Sequence, residues 1–157
     1  MNIFALRTSV EQVELGGELA PRFDADGLMP AIVVDVETKK ILMLGYMNAD
    51  ALEQTILKRE AHFWSRSRKA LWRKGEHSGF TQHVESILID DDQDALILHV
   101  VVNGPGSCHV GFRSCFYREL ELPDGVTEGP VGLRCVEDVP AFDAGKIYEG
   151  LANPTQV

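Results

Sequence analysis

At 157 residues, 45% hydrophobic and 25% charged, the chain has the length and composition of one ordinary globular domain. Twenty-four acidic against fifteen basic side chains leave a formal net charge of -9. That balance argues against a nucleic-acid polyanion as partner, while a small phosphorylated ligand needs only a few local cations. No apolar run reaches the roughly 20 residues that span a bilayer. The opening stretch MNIFALRTSVEQVELGGELA lacks the basic and long apolar regions of a secretion signal, so a cytoplasmic location is expected.

In chain order, residues 1–20 read as an N-terminal helix or arm ending near Pro21. Ala31–Val36 and Ile41–Tyr46 are β-rich and flank the polar turn ETKK, which predicts a hairpin. Asn48 caps a helix over ADALEQTILKRE, with Leu52, Ile56, Ala51 and Thr55 on one face. AHFWS returns to a strand, and the basic, Gly-containing RSRKALWRKGEHSG reads as an irregular surface segment. FTQHVESILI and ALILHVVV are two long strands joined by the acidic turn DDDQD. CHVGFRSCFYREL reads as a turn and a final strand, and 124–157 as a loose tail packing on the domain or on a partner. The sum is a single α+β domain over 1–157, a mainly antiparallel β-sheet with few helices.

Three constellations carry chemistry. Asp90, Asp92 and Asp94 alternate, so an extended segment would project them to one side, with Asp91 on the other. Three such carboxylates suit Mg²⁺ or Ca²⁺; equally, DDDQD reads as a solvated turn. Cys108 and Cys115, with His109 beside the first, make a soft site for Zn²⁺ or two buried thiols. Cys135 stands apart and reads as a structural thiol. The third element is HFWSRSRKALWRKGEHSG, where Arg66, Arg68, Arg73 and Lys74 gather positive charge beside Ser65, Ser67 and Ser78. Guanidinium forks and hydroxyls suit phosphate; the alternative is a solvated basic face. Trp64 reads as core, whereas Trp72 reads as a surface anchor or as a platform for a base.

These elements together resemble the phosphoribosyl-AMP cyclohydrolase family of histidine biosynthesis, from about Phe23 to Arg118. FDADGLMPAIV, LMLGYMNADAL, HFWSRSRKALWRKGEHSG, DDDQDAL and CHVGFRSCFYR carry the resemblance. It implies a cyclic amidine hydrolase that opens the N1–C6 bond of the purine in 1-(5-phosphoribosyl)-AMP, working as an intertwined homodimer with Zn²⁺ and Mg²⁺ near the subunit interface. By the same resemblance, Asp90, Asp92 and Asp94 hold Mg²⁺, and Cys108 and Cys115 hold Zn²⁺. Ser65, Arg66, Ser67, Arg68, Trp72, Lys74, Glu76, Ser78 and Arg113 are the candidates to contact substrate. His109, from its place beside Cys108, is a candidate for moving a proton or steadying the zinc water, and equally for a hydrogen bond that only orients the site.

The sequence departs from the family pattern at four places, one of them the loop VVNGPGS before Cys108, which is one residue longer. Asp91 stands where a third zinc-binding cysteine is usual, Val110 replaces a hydroxyl and Phe112 replaces a cation. A carboxylate on zinc is harder than a thiolate, so Asp91 raises an altered metal preference. Val110 and Phe112 raise a divergent paralogue acting on another nucleotide. A non-catalytic nucleotide- or metal-binding protein is the third alternative.

Overall fold

Period-two burial organises the centre of the protein. The structure, a computed structural model, describes residues 3–126 and 128–157. Strand β1 (Met29–Asp35) buries every second residue: Met29, Ala31, Val33 and Asp35. Strand β6 (Leu96–Val102) does the same with Leu96, Leu98 and Val100. Beside them lie β2 (Ile41–Met47) and β5 (Gln82–Ile89), giving a four-stranded sheet in the order β2-β1-β6-β5.

The β1–β2 and β5–β6 pairs are antiparallel hairpins, as their turn chemistry predicts. The central pair, β1 with β6, is parallel. Antiparallel pairing therefore dominates, and among the described residues the one exception is the seam where the two hairpins meet.

The predicted helix is present as α2 (Ala49–Lys58). Asn48 Oδ1 accepts the N–H of Ala51 at 2.9 Å, satisfying one of the free donors of the first turn. Ala51, Leu52 and Thr55 are buried, and Ile56 packs on the core. The helix ends at Arg59, held at φ 56°. Its guanidinium donates to the carbonyls of Val84 and Glu85, where β5 bulges between Val84 and Ser86.

Two expectations are corrected here. The basic segment is not wholly irregular, because β3 (His62–Ser65) pairs with β4 (Ala70–Arg73) in a second, two-stranded sheet. Cross-strand partners share a face. Phe63 lies opposite Trp72, with ring centroids 5.2 Å apart, so Trp72 packs against the core. Trp64, opposite Leu71, is only half-buried. Both tryptophans are thus half-buried, and Trp72 is the one packed against the core cluster.

The N-terminal arm and the C-terminal segment both carry structure. Within the N-terminal arm, α1 (Val10–Leu15) begins at a Ser9 cap. In the C-terminal segment, β7 (Arg118–Leu120) pairs with β8 (Leu133–Cys135), and a single turn, α3 (Ala144–Ile147), follows. The segment expected to be loose thus carries a strand and packs on the domain. Cys135 sits exposed in β8.

Candidate active site

The acidic stretch follows Ile89, the last residue of β5, and is a turn rather than an extended run. Asp90 Oδ1 accepts the N–H groups of Asp94 and Ala95 at 2.8 and 3.0 Å, and Gln93 takes φ 58°. This turn, not strand alternation, gathers Asp90, Asp92 and Asp94, each offering an oxygen within 4.8 Å of the others. Three hard oxygen donors gathered in one turn are the ligand type that Mg²⁺ or Ca²⁺ takes. Asp91 is exposed and outside the cluster.

A cation already faces two of these carboxylates. The Arg22 guanidinium pairs with Asp92 Oδ2 at 2.5 Å and with Asp94 Oδ2. The Asp94 hydrogen bond, and then the charges of both aspartates, raise the pKa of Arg22. Buried Gln93 locks the arm beside it. Its Oε1 accepts the Ala20 N–H at 2.7 Å, and its Nε2 donates to the Val13 carbonyl at 2.9 Å.

The thiol loop is built at the other end of β6. Ser107 N–H donates to the Arg113 carbonyl at 3.0 Å, and Cys108 N–H donates to that of Phe112 at 3.1 Å. The arm carrying Cys115 hangs on β2: the Ser114 hydroxyl donates to the Ile41 carbonyl, and the Cys115 N–H to that of Leu42, both at 2.7 Å. The two sulfurs consequently meet and hydrogen-bond. That bond lowers the Cys108 thiol to a pKa of about 6, assisted by the Val110 N–H and the Lys74 ammonium and opposed by burial. Cys115 is exposed as a residue, yet its thiol is pushed well above the ordinary range by the same bond and by desolvation. One proton is therefore shared between two sulfurs. Two converging thiols with one readily ionised fit a soft cation such as Zn²⁺.

Lys74 links this loop to the basic segment. Its Nζ donates to the buried Ser107 carbonyl at 2.5 Å. Burial lowers its pKa, against the raising effect of the two cysteines. Trp72 lies under it, with Nζ 5.8 Å from the ring centre, and Arg68 reaches the same ring at 5.9 Å. In the β3–β4 turn, Ser65 Oγ accepts the Arg68 N–H at 3.2 Å and lies 3.4 Å from Ser67 Oγ. Arg66 stacks on Tyr46 at 4.1 Å. Ser65, Arg66, Ser67, Arg68, Trp72 and Lys74 thus share one ribbon that leads to the thiols. Further along, Ser78 Oγ accepts the Phe80 N–H, and Glu76 is exposed beside His77.

His109 is half-buried, its Nε2 3.4 Å from Thr155 Oγ1. Burial, then the Lys74 charge, lowers its pKa, while a hydrogen bond to Asn153 raises it. Arg113 faces the buried carboxylate of Asp35 at 3.7 Å. Phe112 is buried and stacked on Tyr117, with ring centroids 4.0 Å apart.

Strand β6 separates the two candidate metal sites. Its seven residues span about 23 Å at ~3.3 Å each, with the acidic turn before it and the thiol loop after it. One chain therefore does not bring Asp91 to Cys108 and Cys115. Among the described residues, Asp90, Asp92 and Asp94 form the one group of three or more potential metal-ligating side chains. Arg22, Gln93 and Glu137, whose carboxylate accepts the Arg113 and Ser114 N–H groups, were not singled out from sequence. Arg22 alone carried a signal there, as a cation next to the FDADG block.

A family model described as phosphoribosyl-AMP cyclohydrolase matches residues 43–117, which include the hairpin cations, the acidic turn and both thiols. A protein of Sphingopyxis alaskensis bearing that name is 54% identical over 117 residues, covering 74% of this chain and 92% of the relative. One from Rhizobium rhizogenes is 49% identical over 142 residues, covering 90% and 93%. One from Brucella canis is 49% identical over 140 residues, covering 88% and 98%. With half of the aligned residues shared across nearly the full length of such relatives, this chain belongs to the phosphoribosyl-AMP cyclohydrolase family.

Proposed function

We propose that the protein hydrolyses the N1–C6 bond of the purine ring in 1-(5-phosphoribosyl)-AMP, as its relatives' name suggests, in histidine biosynthesis. The observation that carries this is the junction at Lys74: a ribbon of cations and an aromatic face ends against a thiol pair poised to ionise. Arg66 and Arg68 meet substrate phosphate, and Trp72 offers its remaining face to a base. Cys108 and Cys115 hold zinc, which when bound supplies the Lewis acidity that makes water reactive at neutral pH.

His109, kept neutral by burial and the nearby ammonium, accepts the proton of the attacking water. The water oxygen bonds to C6, His109 returns the first proton to N1, the second water proton passes to the exocyclic nitrogen on C6, and the C6–N1 bond breaks to leave a carboxamide. Asp90, Asp92 and Asp94 hold Mg²⁺ for phosphate charge. The length of β6 supports a homodimer in which the acidic turn of one protomer approaches the thiol loop of its partner. Leu88 and Ile89 on the edge strand β5, 53% and 36% exposed, suit burial in such an interface. Among the described residues no helix is long and apolar enough to cross a membrane, and a cytoplasmic enzyme is the corresponding proposal.

The burial of Phe112 against Tyr117 gives that substitution a packing role, which removes one motive for a different substrate. Ring opening followed by ultraviolet absorbance tests the activity directly. Growth of a histidine-requiring strain lacking the cyclohydrolase tests it in the cell. Ligand binding with no turnover under any divalent metal would leave a non-catalytic binding protein instead.

A further inference from the structure

The thiol loop is held from outside by a part of the chain that lies beyond residues 43–117. Glu137, just after β8, spans two consecutive peptide groups. Its Oε2 accepts the Arg113 N–H at 3.0 Å and its Oε1 accepts the Ser114 N–H at 3.1 Å. The next residue is Cys115. On either side the same segment grips the loop again. Val136 N–H donates to the Tyr117 carbonyl at 2.9 Å, and Ala141 N–H donates to that of Gly111 at 2.7 Å. Gly111, at φ 108°, leaves room for this approach: a Cβ there would stand 2.8 Å from the Phe142 carbonyl oxygen. Phe142 then closes edge-on against Phe80 at 5.0 Å.

A negative charge here opposes ionisation of both thiols, so electrostatics gives no reason for it. Geometry does. A carboxylate offers two separate oxygens, one for each of two adjacent N–H groups, and holding both restrains the intervening peptide. That peptide joins the half of the loop tied to Cys108 to the half hung on β2.

We propose that Glu137 is a positioning residue of the thiol site, clamping the Arg113–Ser114 peptide so that Cys108 and Cys115 converge on one cation. The C-terminal segment is then part of the active-site structure rather than an appendage. This rests on the reading of the two thiols as zinc ligands.

The test uses the full-length protein loaded with Zn²⁺ against a chromophoric chelator, and with Co²⁺ for its thiolate charge-transfer band. Glu137→Ala is expected to weaken zinc binding by about tenfold or more, the usual scale for removing a group that orients a ligand. It should also shift the cobalt band and lower kcat with little change in KM. Glu137→Gln, which keeps one acceptor, should fall between and serves as the second variant if the alanine protein does not fold. Glu119→Gln breaks the β7–β8 ion pair with Arg134 without touching the loop, and should leave affinity and spectrum unchanged.

Unchanged affinity and spectrum in Glu137→Ala overturn the proposal. So does an equal loss in Glu119→Gln, which would mark a general effect of tail docking. Absence of the cobalt–thiolate band in the unmutated protein overturns the zinc-site reading itself, a result distinct from either.

Discussion

Lys74 Nζ and the carbonyl oxygen of Ser107, 2.5 Å apart, join the cation-bearing β3–β4 ribbon to the loop that carries both thiols. Burial discourages the ammonium charge and lowers the Lys74 pKa, and the thiol pair beyond Ser107 opposes that in part. The two elements are therefore coupled electrically as well as mechanically. In the metal-free protein, alkylation of Cys108 should follow a thiolate titration with a midpoint of about 6. Cys115→Ala should raise that midpoint most, because the inter-thiol hydrogen bond is its largest cause. Lys74→Met should raise it less, and an equal or larger effect of Lys74→Met would reverse the assigned order.

The same pair sets a pH dependence of stability without metal. Between a folded pKa of about 6 and the ordinary thiol value of 9.0, the unfolded chain holds a proton on Cys108 that the folded chain has released. Stability from this group therefore rises with pH across that window and is lost as pH falls through about 6. Above 9.0 the sign inverts, since folded Cys115 keeps a proton that the unfolded chain gives up. The difference in melting temperature between the unmutated protein and Cys108→Ser, scanned over pH, should grow and then shrink. A flat difference would contradict the shared proton.

Arg22 occupies the carboxylate oxygens that a divalent cation would use, so the two compete. Arg22→Gln should tighten Mg²⁺ or Mn²⁺ binding, measured by titration calorimetry or by Mn²⁺ magnetic resonance, and the gain should diminish at high ionic strength. Weaker binding in the variant would show instead that Arg22 helps assemble the turn.

Gln93 is 5% exposed and bonds both the Ala20 N–H and the Val13 carbonyl. Gln93→Ala strands two backbone groups, each costing about 1–3 kcal/mol when left unpaired and buried. A loss of about 2–4 kcal/mol in urea unfolding is expected on that scale, together with faster proteolysis within residues 3–22. Loss of stability with an unchanged digestion pattern would mean the arm is held elsewhere.

Asp91 stands where the family pattern has a cysteine, and a carboxylate is a harder ligand than a thiolate. If Asp91 of one protomer completes the thiol site of the other, Asp91→Cys should raise zinc affinity and reduce occupancy by Mn²⁺ or Fe²⁺. Metal analysis of protein purified without chelator checks this. Stoichiometric, tightly held zinc in the unmutated protein would show that Asp91 does not relax the metal preference.

Much of the fold was legible because its signals are local. Alternating burial in β1 and β6, the Asn48 cap of α2 and the polar turns of both hairpins act over a few residues. β4 was missed because its four residues carry Arg73 at the end and alternate only between exposed and half-buried. β8 was missed for a similar reason: all three of its residues are exposed, so no apolar pattern marks it. At the site, the aspartates, cysteines and arginines were visible as unusual residue types at close spacing. Gln93 and Glu137 were not, because a single polar residue in a turn or tail looks the same whether it bonds solvent or distant backbone.

By itself, the sequence determined which residues can ionise, which can ligate a soft or a hard cation, and which strands would form hairpins. These follow from side-chain chemistry and near-neighbour geometry. Tertiary structure alone decided that the hairpins join through a parallel seam, that Arg22 faces the acidic turn, and that Glu137 grips the thiol loop. It also decided that the acidic turn and the thiols stand at opposite ends of β6. Each of these depends on segments far apart in the chain meeting at one point, and their meeting is set by the packing of the whole core.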